Sequence, residues 1–170
     1  MTIEIPKIIN NKCYYDKRGY LKEIYLRKNF KKNFIFSLVT FSKKNVFRGF
    51  HFQIKNQQDK IIYVAKGNVI DYAIDLRKRS KTFRKVFKFK LKEKNVLYIP
   101  RGFAHGYLSK SKENILIYLM SNYRSKTHEK GIVWNDKKLK IKFPKNKVII
   151  SKKDKKLDSL NSFLKKYGNL

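Results

Sequence analysis

Short apolar runs, separated by Gly, Asn or Lys-Asn breaks, are the feature that most limits what this chain can fold into. They are too short for long helices, and their residue types favour β-strands. The clearest run alternates Phe87, Phe89 and Leu91 with Lys88 and Lys90, the period of two expected of a half-buried strand. The same criteria predict strands at 3–9, 34–41, 60–65, 69–76, 82–91, 95–99, 115–122 and 148–151.

Two local signals refine this pattern. Gly67-Asn68 lies between two predicted strands and indicates a tight hairpin turn. Residues 155–167 instead have helical spacing, so we predict a short C-terminal helix within 155–170 whose apolar stripe docks on the core. The stripe consists of Leu157, Leu160, Phe163, Leu164 and Tyr167.

Many short strands with one terminal helix indicate an all-β fold, a sandwich or barrel of antiparallel strands. We predict a single domain over 1–170, because 170 residues suffice for one stable core and no linker or repeat interrupts them. Cys13 is the only cysteine, which excludes an intramolecular disulfide and a cysteine-based zinc site. Neither a signal peptide nor a membrane-spanning run is recognisable, so a cytoplasmic location and no membrane partner are expected.

The composition is strongly basic, with 43 Lys and Arg against 12 Asp and Glu and a formal net charge of +31. Such charge is typical of proteins that bind nucleic acid or anionic lipid. The lysines, however, are spread from Lys7 to Lys166 and do not form one cluster. We therefore favour the interpretation that most of them are surface residues, with no specific nucleic-acid partner.

Two of the three histidines lie in segments typical of a binding pocket. His51 belongs to RGFHFQ (48–53) and His105 to PRGFAHG (100–106), where glycines and proline allow the backbone to turn closely around a cavity. We expect both in glycine-rich loops at opposite ends of a hairpin pair. His128 has no such surroundings and is predicted to be a surface residue.

The spacing Pro100-x-Gly102-x-x-His105 matches the second motif of the cupin superfamily, and residues 49–67 occupy the place of the first. Metal-binding cupins have His-x-His and an acidic residue in that first motif. This chain has His51-Phe-Gln53 and Lys60 there, so a divalent ion would lack ligands. The chain resembles a cupin without a metal, and no cofactor is expected.

Several spaced motifs narrow the resemblance further. In order and spacing they resemble the dTDP-4-dehydrorhamnose 3,5-epimerase family, from DKRGYLKE (16–23) almost to the C-terminus, and agreement of many motifs is more specific than any single one. The other motifs are RGFHFQ (48–53), QDK (58–60), DYAIDLRKRSKTF (71–83), IPRGFAHGY (99–107), GIVWND (131–136) and ISKKD (150–154).

The resemblance implies a cupin jelly-roll barrel and a set of site residues. It implies that His51 is the catalytic base, Asp154 the carboxylate that orients it, Tyr118 the acid and Lys60 a group that stabilises the intermediate. It also implies a homodimer whose subunits exchange N-terminal strands. The implied substrate contacts are Arg18, Glu23, Arg48, Gln53, Lys60, His105, Glu129 and Lys153.

The implied reaction inverts carbons next to the ketone of a dTDP-linked 4-keto-6-deoxy sugar, in synthesis of a surface polysaccharide such as the O antigen of lipopolysaccharide. Such inversion needs a base and an acid on opposite faces of the sugar, and histidine and tyrosine suit these tasks. Lys60, with His105 as a second candidate, suits the enolate oxygen. Arg48 and Lys153 suit a diphosphate.

The chain departs from the family in its binding residues. Phe36-Ser37-Leu38 stands where the family has Gln-Asp-Asn, and Arg124 replaces the second tyrosine of an Asn-Tyr-Tyr sequence. A single-carbon epimerase and a GDP-heptose epimerase therefore remain alternatives. A 3,4-ketoisomerase is disfavoured because its relatives have His-x-His at 51–53. A basic β-barrel that binds nucleic acid on its Phe and Tyr side chains is an alternative from another class.

Overall fold

The computed structural model describes residues 4–144 and 148–168, and the start of the predicted strand 3–9 and the last residues of the predicted helix lie outside them. Strands account for most of the regular structure, as the sequence predicts. Among the described residues they are β1 (Lys7–Ile9), β2 (Cys13–Asp16), β3 (Gly19–Lys22), β4 (Phe36–Lys43), β5 (Phe47–Gln53), β6 (Lys60–Lys66), β7 (Asn68–Asp75), β8 (Val86–Lys92), β9 (Val96–Ile99), β10 (Phe103–Ser109), β11 (Glu113–Met120) and β12 (Glu129–Gly131).

Two five-stranded antiparallel sheets form the body of the molecule. The first sheet has the order β1-β9-β6-β11-β4 and the second the order β12-β5-β10-β7-β8, while β2 and β3 form a separate hairpin. One apolar cluster joins residues of both sheets, including Ile62 and Leu116 of the first and Ala73 and Phe103 of the second. The all-β, antiparallel class predicted from the sequence is therefore confirmed.

Two further apolar clusters use the other sides of the sheets. Phe50 and Phe52 of β5 pack with Leu160 and Phe163 from the C-terminal segment. On the first sheet, Ile61 and Tyr98 anchor a cluster that includes partly buried residues from 24–34. The other side of each sheet is thus covered by a further segment of the chain.

The turn predicted at Gly67-Asn68 is present, but the predicted hairpin is wrong. β6 belongs to the first sheet and β7 to the second, so the chain crosses between sheets at this point. Gly67 has a φ of +86°, and a Cβ there would lie 2.4 Å from the carbonyl oxygen of Glu113. The glycine is needed for a close crossover, and sequence alone does not distinguish this from a hairpin.

The C-terminal helix is shorter than predicted and is preceded by a separate helical turn. The elements are α1 (Lys152–Lys155) and α2 (Leu160–Tyr167). Ser159 caps α2 by accepting a hydrogen bond from the Ser162 backbone N–H, which starts a new helix there. Leu160 and Phe163 are buried, so docking of the apolar stripe on the core is confirmed.

The predicted strand at 148–151 is also wrong, because only an isolated bridge between Val46 and Ile149 forms there. Within the part of the chain that the structure describes, none of the helices is long and apolar enough to cross a membrane.

Candidate active site

A cavity of about 210 Å³ opens between the two sheets, and most of the predicted site residues line it. The first sheet contributes Leu38, Thr40, Lys60, Tyr118 and Met120, and the second contributes Arg48, His51, His105, Tyr107 and Glu129. Gln58 and Arg124 complete the lining from loops. Its walls are partly apolar, with charged groups from the second sheet opposite Tyr118.

His51 forms a hydrogen-bonded dyad with Asp154. Its Nε2 lies 2.8 Å from Asp154 Oδ1, and Asp154 also accepts a bond from the Gly49 N–H at 3.3 Å. Burial tends to raise the pKa of Asp154, but the hydrogen bond and charge of His51 outweigh it, so this pKa is lowered. The carboxylate therefore stays ionised and accepts from His51 Nε2–H, which leaves Nδ1 as the basic nitrogen.

Close approach of β5 and β10 places the two histidines side by side. His51 and His105 are direct partners in the register between these strands. Gly49 has a φ of +127°, and a Cβ at this position would lie only 2.6 Å from the Gly106 Cα. The expected placement of both histidines in loops at opposite ends of a hairpin pair is therefore wrong. The glycines instead allow two strands to pack tightly at the cavity.

Tyr118 lies on β11 of the first sheet, so it faces the cavity from the side opposite to His51. Its ring is buried and meets the ring of His105 edge to face, with 6.0 Å between centroids. Burial raises the pKa of Tyr118 well above its usual value, and the neighbouring Tyr107 and Asp71 add to this. Tyr118 therefore stays protonated at neutral pH and is able to act as a proton donor.

Lys60 and His105 lie beside a buried carboxylate, Asp71, that was not predicted from the sequence to belong to the site. His105 Nε2 is 2.8 Å from Asp71 Oδ2, while Asp71 Oδ1 is buried without a hydrogen-bond partner. Desolvation lowers the pKa of Lys60 to about 8, partly opposed by the charges of Glu129 and Asp71. In the sequence, Asp71 is an aspartate within an otherwise apolar strand, Val-Ile-Asp-Tyr-Ala-Ile, and it begins the motif DYAIDLRKRSKTF (71–83).

Arg48 is held at the cavity wall by hydrogen bonds from its guanidinium. Nε donates to Ser42 Oγ at 2.9 Å, and Nη2 donates to the Phe41 carbonyl at 2.9 Å. The Ser42 hydroxyl in turn lies 2.9 Å from the Tyr107 hydroxyl, which also contacts Thr40. This arrangement fixes a positive group at the cavity, as a site for an anion requires.

A second positive group forms around Glu129. Arg124 donates to both carboxylate oxygens of Glu129 at 3.1 and 2.8 Å, and Lys153 pairs with the same residue. Although burial raises the pKa of Glu129, these hydrogen bonds lower it to about 2. The sequence marks Arg124 only as a departure from the family, and the structure places it at the cavity.

Four predicted substrate contacts do not line the cavity: Lys153, which pairs with Glu129, and Gln53, Arg18 and Glu23. Gln53 is buried and bonds the backbone of Asn56, Tyr123 and Ser125. Arg18 is exposed at the β2–β3 turn and pairs with Asp16, and Glu23 follows the hairpin. His128, partly buried, contacts Ser125 Oγ at 3.0 Å.

Comparison with known proteins identifies the family. The model of the family described as dTDP-4-dehydrorhamnose 3,5-epimerase matches residues 1–162. The chain belongs to this family. The dTDP-4-dehydrorhamnose 3,5-epimerase of Shigella flexneri is 36% identical over 162 residues, covering 89% of this chain and 90% of the relative. That of Salmonella typhimurium is 40% identical over 147 residues, covering 81% and 80%.

A solved structure agrees with the family in fold as well as in sequence. The dTDP-6-deoxy-D-glucose-3,5-epimerase of Legionella pneumophila, in complex with dTDP-4-keto-L-rhamnose, matches with a TM-score of 0.88 at 32% identity. The match covers 95% of this chain and 90% of that chain. The cupin-type fold and the family predicted from the sequence are confirmed, and the chain is an enzyme of the isomerase class, a carbohydrate epimerase.

Proposed function

We propose that this chain catalyses 3,5-epimerisation of dTDP-4-dehydro-6-deoxy-D-glucose, the substrate of the family. One observation carries the proposal: a histidine oriented by a carboxylate and a protonated tyrosine face the same cavity from opposite sheets. Inversion at a carbon requires proton removal on one face and proton delivery on the other. The names of the relatives, and the sugar bound in one of them, support the substrate class.

The proposed reaction uses His51 as the base and Tyr118 as the acid. His51 Nδ1 removes the proton from the carbon next to the ketone, and the electron pair of that C–H bond forms an enolate. Tyr118 then donates its hydroxyl proton to the opposite face of the same carbon, which restores the ketone. Solvent takes the proton from the imidazolium and returns one to the phenolate, so each cycle is balanced. Asp154 is a positioning residue that stabilises the imidazolium.

Positive groups assist the same cycle. Lys60 lies in the cavity, where its ammonium stabilises negative charge on the enolate oxygen more strongly than it would in water. The resemblance offers His105 as a second candidate for that oxygen, although burial lowers the pKa of His105 and its Nε2 is already bonded to Asp71. Arg48 lines the cavity and suits a diphosphate oxygen, and Lys153 pairs with Glu129, which also lines the cavity. Gln53, Arg18 and Glu23 remain predicted contacts.

We also propose that the enzyme is a homodimer. Val39 and Phe41 on β4 are 65% and 50% exposed, and their partners in the register, Ile117 and Ile115 on β11, extend the same apolar surface. A second copy of this chain would cover this surface, and exchange of N-terminal strands would bring Arg18 and Glu23 toward the partner's cavity. The single domain over 1–170, the cytoplasmic location and the role in O-antigen synthesis stay predictions.

Isotope exchange tests the proposed function directly. The enzyme is incubated with dTDP-4-dehydro-6-deoxy-D-glucose in D2O, and the product is analysed by mass spectrometry and proton NMR. We expect two deuterium atoms, at carbons 3 and 5, because both returned protons come from exchangeable groups. One deuterium would identify a single-carbon epimerase, and none would contradict the proposal.

Two variants and one control test whether His51 and Tyr118 are responsible for this exchange. His51→Asn removes the base and is expected to abolish deuterium incorporation, whereas Tyr118→Phe should prevent inversion at the carbon whose proton it returns. His128→Asn is the matched control, because this histidine contacts Ser125 and does not line the cavity. Equal loss of exchange in the His51 and His128 variants would contradict the assignment.

A further inference from the structure

The proton donor Tyr118 lies within an apolar wall. In the register of the first sheet its direct partner on β4 is Leu38, so both side chains project from the same face, and both line the cavity. Met120, two residues further on β11, shares that face and also lines the cavity. On this sheet Tyr118 is therefore flanked by two apolar side chains, those of Leu38 and Met120.

Covalent geometry decides which part of the substrate meets this wall. A group that protonates carbon 5 necessarily lies beside carbon 6, because the bond between them is only about 1.5 Å long. In a 4-keto-6-deoxy sugar carbon 6 is a methyl group, the one wholly apolar substituent of the ring. Carbon 3 is instead flanked by the ketone, its own hydroxyl and the hydroxyl of carbon 2, which an apolar wall would desolvate without compensation.

The position of Lys60 agrees with this orientation. Lys60 is the direct partner of Met120 in the register between β6 and β11. The ketone carbon and the methyl carbon are both bonded to carbon 5. A sugar that presents carbon 5 to Tyr118 therefore places its ketone oxygen toward the lysine side of Met120 and its methyl group toward Leu38.

We propose that Leu38 and Met120 form the seat of the C6 methyl group and make this enzyme selective for 6-deoxy sugars at the carbon-5 step. This inference rests on the proposed function. By the resemblance, members of the family have asparagine at this position, so Leu38 makes this part of the wall particular to this chain. Leu38 acts on the orientation of the sugar in which Tyr118 reaches carbon 5. It has less effect on the orientation in which carbon 3 reacts.

The test measures deuterium incorporation at the two carbons separately by proton NMR. Leu38→Asn places an amide against the methyl group, and Met120→Gln does so with little change in side-chain length. We expect each variant to lower the rate at carbon 5 relative to carbon 3 by about tenfold, which is the usual effect of one methyl contact in an apolar pocket. Leu38→Met keeps the wall apolar and should retain the wild-type ratio.

His128→Asn is again the matched control, because this histidine contacts Ser125 and does not line the cavity. The 6-hydroxy analogue of the substrate provides a second readout. The wild type should prefer the 6-deoxy sugar to this analogue, and both wall variants should reduce that preference. An unchanged ratio in both wall variants, or an equal loss at both carbons, would overturn the inference. If the wild-type enzyme incorporates no deuterium, the proposed function itself fails. If the wild-type enzyme incorporates deuterium and the variants do not change the ratio, only this inference fails.

Discussion

Lys60 differs from the surface lysines because it lines the cavity next to a buried carboxylate and a buried histidine. Burial disfavours the charged ammonium and lowers its pKa to about 8, although Glu129 and Asp71 oppose the shift. The lysine is thus still mostly protonated at neutral pH, where a cation is needed for an enolate. It is also poised to lose that charge within a range of pH that enzymes tolerate.

Activity should therefore fall as the pH rises through about 8, because the ammonium of Lys60 is present below this pKa and lost above it. The measurement is kcat/KM from pH 6 to 10 for the wild type and for Lys60→Arg. Arginine keeps its charge over this whole range, so the variant should lose the alkaline limb even if its maximum rate is lower. An alkaline limb that stays near pH 8 in Lys60→Arg would contradict this role for the lysine.

At the scale of secondary structure, the contact of β5 with β10 brings the catalytic groups together. Gly49 and Gly106 let the two backbones approach, and Asp154 in α1 reaches the same point from the far end of the chain. Asp154 also accepts the Gly49 N–H, so the backbone of β5 and the orienting carboxylate are held as one unit. A side chain at Gly49 would disturb both contacts.

Gly49→Ala should accordingly destabilise the fold by about 2–4 kcal/mol, from backbone strain and from the overlap with Gly106. Gly19→Ala is a close control, because Gly19 has nearly the same φ, +128°, but a Cβ there would have no atom within 4 Å. Strain alone should cost that variant about 1–2 kcal/mol. Urea denaturation measures both values, and equal losses would show that close packing at Gly49 is unimportant.

The same elements explain how far the sequence predicted the structure. β8 was predicted because Phe87, Phe89 and Leu91 alternate with lysines on a half-exposed sheet edge. β5 and β10 were missed because glycine has a low strand propensity, so the sequence around each glycine does not indicate a strand. These glycines are required only because two strands distant in sequence pack closely together. Local patterns do not encode such contacts.

The candidate site was predicted largely through the family resemblance. The residue types alone indicated His51 and His105 as candidate site residues. Asp154 lies 103 residues from His51, and without the family resemblance its sequence context predicts only a turn residue among lysines. Asp71 was missed because its importance arises from burial next to His105, which the sequence does not reveal. Likewise, the cavity-facing position of Leu38 follows only from its register with Tyr118.

At the scale of the whole molecule, the few acidic residues have specific structural positions, whereas the cations are in large excess. Asp59, Asp75 and Asp154 are buried and hydrogen-bonded, and Glu113 and Asp158 pair with surface lysines. In the described part of the chain, most lysines therefore face solvent without a nearby carboxylate to offset them. With a net charge of +31, repulsion between them opposes the compact state and opposes association of two copies even more.

Added salt should stabilise both the fold and the proposed dimer, because the screening length falls from about 30 Å at 0.01 M to about 3 Å at 1 M. We expect the thermal midpoint to rise by several degrees, and the dimer dissociation constant to fall, between about 20 and 500 mM KCl. Differential scanning fluorimetry and sedimentation equilibrium measure the two effects.

The same screening acts on the substrate in the opposite direction, since a dianionic diphosphate is attracted by the positive surface. KM should therefore increase over this range of KCl while the thermal midpoint increases. Substituting NaCl at equal ionic strength should give the same results, because screening depends on ionic strength and not on the identity of the cation. A thermal midpoint that falls with salt would mean that the ion pairs of the acidic residues outweigh the repulsion among the excess lysines.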